Sequence, residues 1–291
     1  MISLQGFLLV LCVGLTGCMG LFYYPTRDLY YEPKKYFDLN PEDVWIDLSS
    51  KDKDKHKDND KEKPKLHGWL FRSKNQPSKG TLIHFHGNAE NLTSHYAMMV
   101  WVVKAGYNLF IFDYPEYGQS TGSLNPKSVY QSSKAVIQWA ENNSDLSPFI
   151  IYGHSLGGNV ALKVASDGLD PKLFKAVIID SSFDSYQKIA QDKMSQMWIT
   201  WPLQPLSYVL FTDRFAPEFD NLPDIPYLVI HGKRDIVVPS YFSERILEKI
   251  KQPKDFWAVE KGFHGGNFIV EDGIYQKRLI DFLEKLSQSD K

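Results

Sequence analysis

A chain of 291 residues with a net charge of −2 is long enough to bury one large α/β core or two small ones. Its near-neutral balance offers no general attraction for nucleic acid, so no nucleic-acid partner is expected. Cys12 and Cys18 are the only cysteines and both lie near the N-terminus, which excludes a disulfide framework or a zinc-type cysteine cluster in the body.

Residues 1–26 carry no charged side chain, and Phe7 to Val13 form an apolar run. Leu15-Thr16-Gly17-Cys18 sets small residues before a cysteine and resembles the lipobox of a bacterial lipoprotein signal. The resemblance implies a signal peptide over 1–17, cleavage before Cys18 and acylation of Cys18, where several acyl chains together anchor stably. Met1-Ile2-Ser3-Leu4-Gln5 offers only the α-amino charge, and the uncharged span is long enough to cross a bilayer, so an uncleaved single-pass signal anchor is the alternative. Either reading leaves the body membrane-tethered and outside the cytoplasm. Residues 18–42 are rich in Tyr, Phe and Pro and read as an extended tether, packed on the body or lying near the membrane surface.

Val44, Ile46 and Leu48 alternate with polar neighbours, the pattern of a first strand over Asp43 to Ser50. Lys51 to Lys65 is a Lys/Asp tract without the Gly and closing Glu of a calcium loop, and reads as a solvated hairpin loop. The chain returns as an antiparallel strand over Lys65 to Ser73. From Gly80 strands and helices alternate, which predicts a parallel sheet. Strands are expected at Thr81 to Phe85, Tyr107 to Phe112, Phe149 onward, Lys175 to Asp180, Pro226 to His231 and Phe256 to Glu260. Helices are expected at Asn91 to Lys104, from Asn125-Pro126 to Asn142, after Ser155, and at Tyr241 to Ile250 and Ile274 to Leu286. Residues 183–224 break this rhythm. Met194, Met197, Trp198, Trp201, Leu206, Tyr208 and Phe211 fall there without a strand pattern, as in a cap inserted over a binding site; the bland alternative is helices packed on the sheet.

Phe149-Ile150-Ile151-Tyr152-Gly153-His154-Ser155-Leu156-Gly157-Gly158 runs from a buried strand through Gly-x-Ser-x-Gly into helix-forming sequence. The pattern is short and weak alone, but strand, tight turn and helix are the context of a nucleophile elbow at Ser155. A serine nucleophile needs a base and a carboxylate that orients the base. Asp235 and His264 each follow a late strand in Gly-containing loops, and both fall at the carboxyl edge of the sheet, where ligands bind in open α/β folds. Asp180 is the rival acid, one strand earlier. His154 adjoins the nucleophile with its ring expected to point away from it; His84, His86 and His231 read as core histidines. Asp113 reads as a structural carboxylate for the loop from Tyr114 to Gly118. The oxyanion hole requires two N–H donors, assigned to Leu156, at a helix N-terminus, and to Asn88, after Gly87, with Ala89 as the alternative.

His86-Gly87-Asn88-Ala89-x-Asn91, Asp113-Tyr114-x-x-Tyr117-Gly118-x-Ser120, Gly153-His154-Ser155-Leu156-Gly157-Gly158, His231-Gly232-x-x-Asp235 and Gly262-x-His264 resemble, in order, the motifs of the α/β-hydrolase superfamily. They look like its membrane-anchored serine-hydrolase branch, which includes acyl-protein thioesterase-like members. The resemblance covers Asp43 to Leu286. Pro115-Glu116 stands where the family commonly has Arg-Gly, which leaves the rim near Tyr117 outside any family-based statement. The fold it implies is a mostly parallel central sheet with helices on both faces and a small aromatic-rich cap insertion, spanning 43–286 with a charged loop at 51–65, the cap at 183–224 and a tail at 287–291. The activity it implies is hydrolysis of a small-molecule or lipid-like acyl ester or thioester by Ser155, His264 and Asp235, with neither metal nor organic cofactor. A peptidase or amidase using the same triad, and a surface-tethered binding module without activity, are the alternatives.

Overall fold

The computed structural model describes residues 22–48, 63–196 and 198–288. The signal peptide over 1–17, Cys18 and nearly all of the charged loop at 51–65 lie outside the described residues. Strands β1 (Tyr24–Pro25) and β5 (Ala89–Glu90) form a small parallel pair. Eight others make the main sheet: β2 (Glu42–Asp47), β3 (Lys65–Phe71), β4 (Thr81–Phe85), β6 (Asn108–Phe112), β7 (Phe149–His154), β8 (Phe174–Asp180), β9 (Tyr227–Gly232) and β10 (Lys254–Val259). Their order across the sheet is β10-β9-β8-β7-β4-β6-β3-β2. All neighbours are parallel except β6–β3 and β3–β2, which are antiparallel.

The apolar runs of the central strands have a direct cause. Ile83, Phe85, Ile151, Val177, Ile179 and Val229 enter one core, while Leu82, Ile150, Tyr152, Ile178, Leu228 and Ile230 enter the other. Alternate side chains point to opposite faces, and both faces are covered, so apolar residues dominate both. The first core is closed by α3 (Pro126–Asn142), α4 (Leu156–Ala165) and α7 (Tyr241–Lys249), and the second by the 92–103 segment and α8 (Ile274–Gln288). Asn125 caps α3 by accepting from Ser128 N, and Ser128 Oγ accepts from Asn125 N in return. This reciprocal pair and Pro126 explain the sharp start of that helix.

Two expectations change. Asn91 to Lys104 is not one helix but α2 (Leu92–His95) followed by 3₁₀ turns at Tyr96–Met98 and Val100–Val103. Tyr96, Met99 and Val102 are fully buried and recur every third residue, a period that fits three residues per turn better than 3.6. The segment from Met19 to Pro41 is not extended throughout its described part, because α1 (Pro33–Phe37) starts at a proline and ends at Asp38 in the left-handed region. Between β8 and β9 the chain forms α5 (Tyr186–Ser195), a 3₁₀ run at Trp201–Leu206, α6 (Ser207–Leu210) and a 3₁₀ turn at Phe219–Asn221. Among the described residues no helix is long and apolar enough to cross a membrane.

Candidate active site

The order of the sheet makes β4 and β7 neighbours although β6 lies between them in sequence. The connections leaving β4 and β6 therefore travel in opposite directions, and a crevice opens at the carboxyl ends of these strands. Asn88 follows β4, Ser155 follows β7, Asp235 follows β9 and His264 follows β10, so each residue singled out from the sequence lies at that edge.

Ser155 has φ 53° and ψ −120°, a left-handed backbone that costs a non-glycine residue about 1–3 kcal/mol. The neighbouring glycines permit the close packing that holds it. A Cβ on Gly157 would lie 2.0 Å from the Phe85 carbonyl oxygen, and one on Gly153 would lie 2.6 Å from the Gly157 carbonyl oxygen. Ser155 N donates to the Asp180 carbonyl at 2.9 Å, and Ser182 Oγ donates to the Ser155 carbonyl at 2.6 Å. The sharp turn is thus tied to β8 on both sides.

His264 Nδ1 lies 2.8 Å from Asp235 Oδ2, and Asp235 Oδ1 accepts from Val237 N at 2.8 Å and Val238 N at 2.9 Å. The Asp235 side chain is fully buried and the His264 side chain is 19% exposed. Burial pushes the Asp235 carboxyl up, but the hydrogen bond and charge of His264 and the two backbone donors outweigh it and hold the group below the ordinary carboxylate range. Asp180 is in a different situation. It accepts from Tyr152 Oη at 2.6 Å, Ser181 Oγ at 2.9 Å and Asn267 Nδ2 at 2.6 Å. Complete burial raises its pKa despite these donors. Asp235, not Asp180, is the carboxylate bonded to His264.

The His154 ring lies 4.7 Å from that of His264, centroid to centroid, and it begins a layer of rings in which His95 lies 6.2 Å from His154, His86 lies 5.2 Å from His95 and His84 lies 6.4 Å from His95. Burial, reinforced by neighbouring histidines, holds His84 and His154 well below the usual imidazole range and His95 down at about 3. His84, His95 and His154 are thereby neutral at physiological pH; among the described residues no three His, Cys, Asp or Glu side chains are arranged to hold a metal ion. His84 is not the satisfied core histidine expected, since neither of its nitrogens has a hydrogen-bond partner among the described residues. His231 is, with Ser243 Oγ at 2.6 Å and the Val238 carbonyl at 2.8 Å. Asp113 Oδ1 accepts from Leu92 N at 2.7 Å, and a Cβ on Gly118 would lie 2.0 Å from Asp113 Oδ2. Asp113 therefore joins the start of α2 to the loop from Tyr114 to Gly118.

A cavity of about 630 Å³ opens over Ser155, with Leu156 and Asn88 in its lining. The Asn88 carbonyl accepts from Tyr24 N at 2.8 Å and from Tyr117 Oη at 2.6 Å, which fixes the peptide behind Gly87. Ala89, the alternative donor, lies in β5 in register with Tyr24. Ile189, Met194, Leu210 and Phe211 make the apolar wall, and Lys193 is the one charged residue among the described lining. Phe22 and Tyr24 also line the cavity, a contribution that sequence reasoning missed. The signal was the aromatic run Phe22-Tyr23-Tyr24, whose packing on Tyr186 and Phe211 at 5.3 and 5.2 Å from Phe22 brings the chain start over the site.

This architecture, with a strained serine between a parallel strand and a helix, defines an α/β hydrolase. The chain belongs to the α/β-hydrolase family: a family model described as "alpha/beta hydrolase fold" matches residues 80–224. It is similar to the uncharacterized protein YfhR of Escherichia coli strain K12, with 30% identity covering 95% of this chain and 92% of the relative. It is also similar to YqkD of Bacillus subtilis, with 28% identity over 86% of this chain and 85% of that protein. Among solved structures, it shares its fold with the esterase Pf2001 of Pyrococcus furiosus at a TM-score of 0.66 and 20% identity, covering 91% of this chain and 97% of that one.

Proposed function

We propose that this protein is a membrane-tethered serine hydrolase that cleaves the ester or thioester bond of an acyl substrate through an acyl-enzyme. The observation that carries the reading is the 2.8 Å hydrogen bond between His264 and a buried Asp235, at the same sheet edge as a strained Ser155 that opens into an apolar cavity. Ser155 Oγ attacks the acyl carbon while His264 Nε2 accepts its proton. Asp235 keeps the Nδ1 proton on the far side of the ring and stabilises the imidazolium as it forms. The Leu156 and Asn88 N–H groups hold the developing oxyanion, each such donor contributing about 10²–10³ in turnover. His264 then returns the proton to the departing alcohol or thiol. A water molecule, deprotonated by the same ring, releases the acid.

The esterase name of the Pyrococcus furiosus fold neighbour agrees with this reaction class. The thioester arm follows the resemblance to acyl-protein thioesterase-like members, and the apolar wall of Ile189, Met194 and Phe211 suits a hydrocarbon acyl group. The tether is an acylated Cys18 left after cleavage of the 1–17 signal peptide, with an uncleaved anchor as the alternative; intact mass of the mature N-terminus separates the two. A fluorophosphonate probe tests the chemistry. The wild-type chain is expected to label and Ser155→Ala to fail to label, with p-nitrophenyl ester turnover reduced by roughly 10⁶. Equal labelling of both chains would refute the assignment.

A further inference from the structure

Residues 194–212 contain no charged side chain, although much of this stretch lies on the surface. Trp198 is 86% exposed, Val209 68% and Trp201 62%, and Ile199, Leu206 and Tyr208 are exposed as well. Monomeric soluble proteins seldom leave so continuous an apolar run in water. Tryptophan and tyrosine are the residues that favour the boundary between lipid headgroups and hydrocarbon, where the ring is apolar and its polar atom stays wet. Two neighbours of these side chains, Leu210 and Phe211, turn inward and line the cavity over Ser155. One segment therefore has an inner surface on the site and an outer surface that is apolar and bare.

The start of the chain selects the occupant. Phe22 packs on Phe211 at 5.2 Å, and the residues before it are the uncharged leader. From Cys18 to Phe22 an extended chain reaches about 14 Å at most. An acyl anchor on Cys18, or an apolar span ending at Leu21, holds Phe22, and with it the Phe211 end of this segment, close to the bilayer. We infer that the 198–209 surface docks into the lipid headgroup region and presents the mouth of the Ser155 cavity to acyl chains carried in the membrane. The inference uses the tether reading to orient the chain and adds a substrate source to the hydrolase reading, but the docking itself does not depend on catalysis.

The full chain is reconstituted in phosphatidylcholine vesicles with and without brominated acyl chains, alongside W198F/W201F. The difference in emission between the two proteins isolates these tryptophans. It is expected to fall by about half with brominated lipid, as for rings at the acyl boundary. A chain that floats with the vesicles while Trp198 and Trp201 stay unquenched and open to iodide would overturn the inference. So would a chain that does not float, which would also remove the tether reading. Shielding that depends on protein concentration and is lost in W198F/W201F would assign the face to a second copy of the chain and equally overturn it. A functional arm uses W198S/W201S/V209S, none of which lines the cavity. Hydrolysis of soluble p-nitrophenyl butyrate is expected to be unchanged, and hydrolysis of a long-chain acyl ester held in vesicles to fall about tenfold. Equal loss on both substrates would place the segment in the fold rather than at the membrane. Wild-type protein inactive on both esters would defeat the hydrolase reading, and the quenching result would still decide the docking.

Discussion

Replacing Asp235 by Asn separates the role of its charge from that of its shape. The carboxylate accepts on both oxygens, with Val237 and Val238 N–H on Oδ1 and His264 Nδ1 beside Oδ2. An asparagine keeps its carbonyl against the two backbone donors, because the reverse orientation would aim an NH₂ at two N–H groups in a buried site. Its amide nitrogen then faces His264 Nδ1, which must accept, and the ring proton moves to Nε2. In that tautomer the ring cannot take the Ser155 proton. The expected loss in kcat is about 10³–10⁴, equivalent to roughly 4–5.5 kcal/mol of transition-state stabilisation, with KM nearly unchanged. Steady-state kinetics on p-nitrophenyl esters measure it, with Asp180→Asn as the comparison. A larger loss from Asp180→Asn than from Asp235→Asn would refute the assignment of the acid and the tautomer argument together.

The Asp180 variant also has its own readout: burial raises the carboxyl, so the folded state favours the protonated form. Wild-type stability should therefore decline as pH rises from the ordinary carboxylate range through the raised folded pKa, and thermal melts of Asp180→Asn should lack that decline. Arg245→Ala should cost about 2–3 kcal/mol in urea unfolding, since it strips Nε and Nη2 contacts at 3.1 and 2.6 Å from Asp184, a carboxylate with no exposed surface. Lys249 remains as its partner at 2.5 Å, and a loss below about 0.5 kcal/mol would show that this lysine alone suffices. Ala190 lines the cavity wall, so Ala190→Phe should preserve turnover of acetate esters while depressing that of long-chain esters by about tenfold or more. A uniform loss across chain lengths would remove that wall from the acyl site.

The sheet was legible because strands buried on both faces are mostly apolar, and β4, β7, β8 and β9 lie within a residue or two of where their sequence places them. The elbow was legible because close packing of α4 against β7 and the end of β4 tolerates only glycine at 153 and 157. The sequence favours Asp235 over Asp180 although both follow or end apolar strands; in the structure the hydrogen bond to His264 is made by Asp235. The histidine layer was hidden. His84, His86, His95 and His154 come from β4, α2 and β7, and a ring-to-ring contact between strands leaves no periodic trace. The 92–103 segment misled because an apolar spacing of three and four reads as a helix, while the chain breaks into a short α-helix and two 3₁₀ turns.

The two-residue pairing of β1 with β5 couples the chain's first described residues to the loop after β4. Tyr24 N holds the Asn88 carbonyl, and Thr26 N bonds the Glu90 carbonyl at 3.3 Å, while Phe22 and Tyr24 supply part of the cavity wall. A proteolytic cut just ahead of Arg27 would thus take away more than the proposed anchor. It would remove an outer strand, open one side of the cavity over Ser155 and strip the Tyr24 partner from the Asn88 carbonyl, one peptide beyond the N–H proposed as the second oxyanion donor. On the proposed reading of tether and triad, release from the membrane and loss of activity would be a single event, so a soluble trimmed form is expected to be inactive.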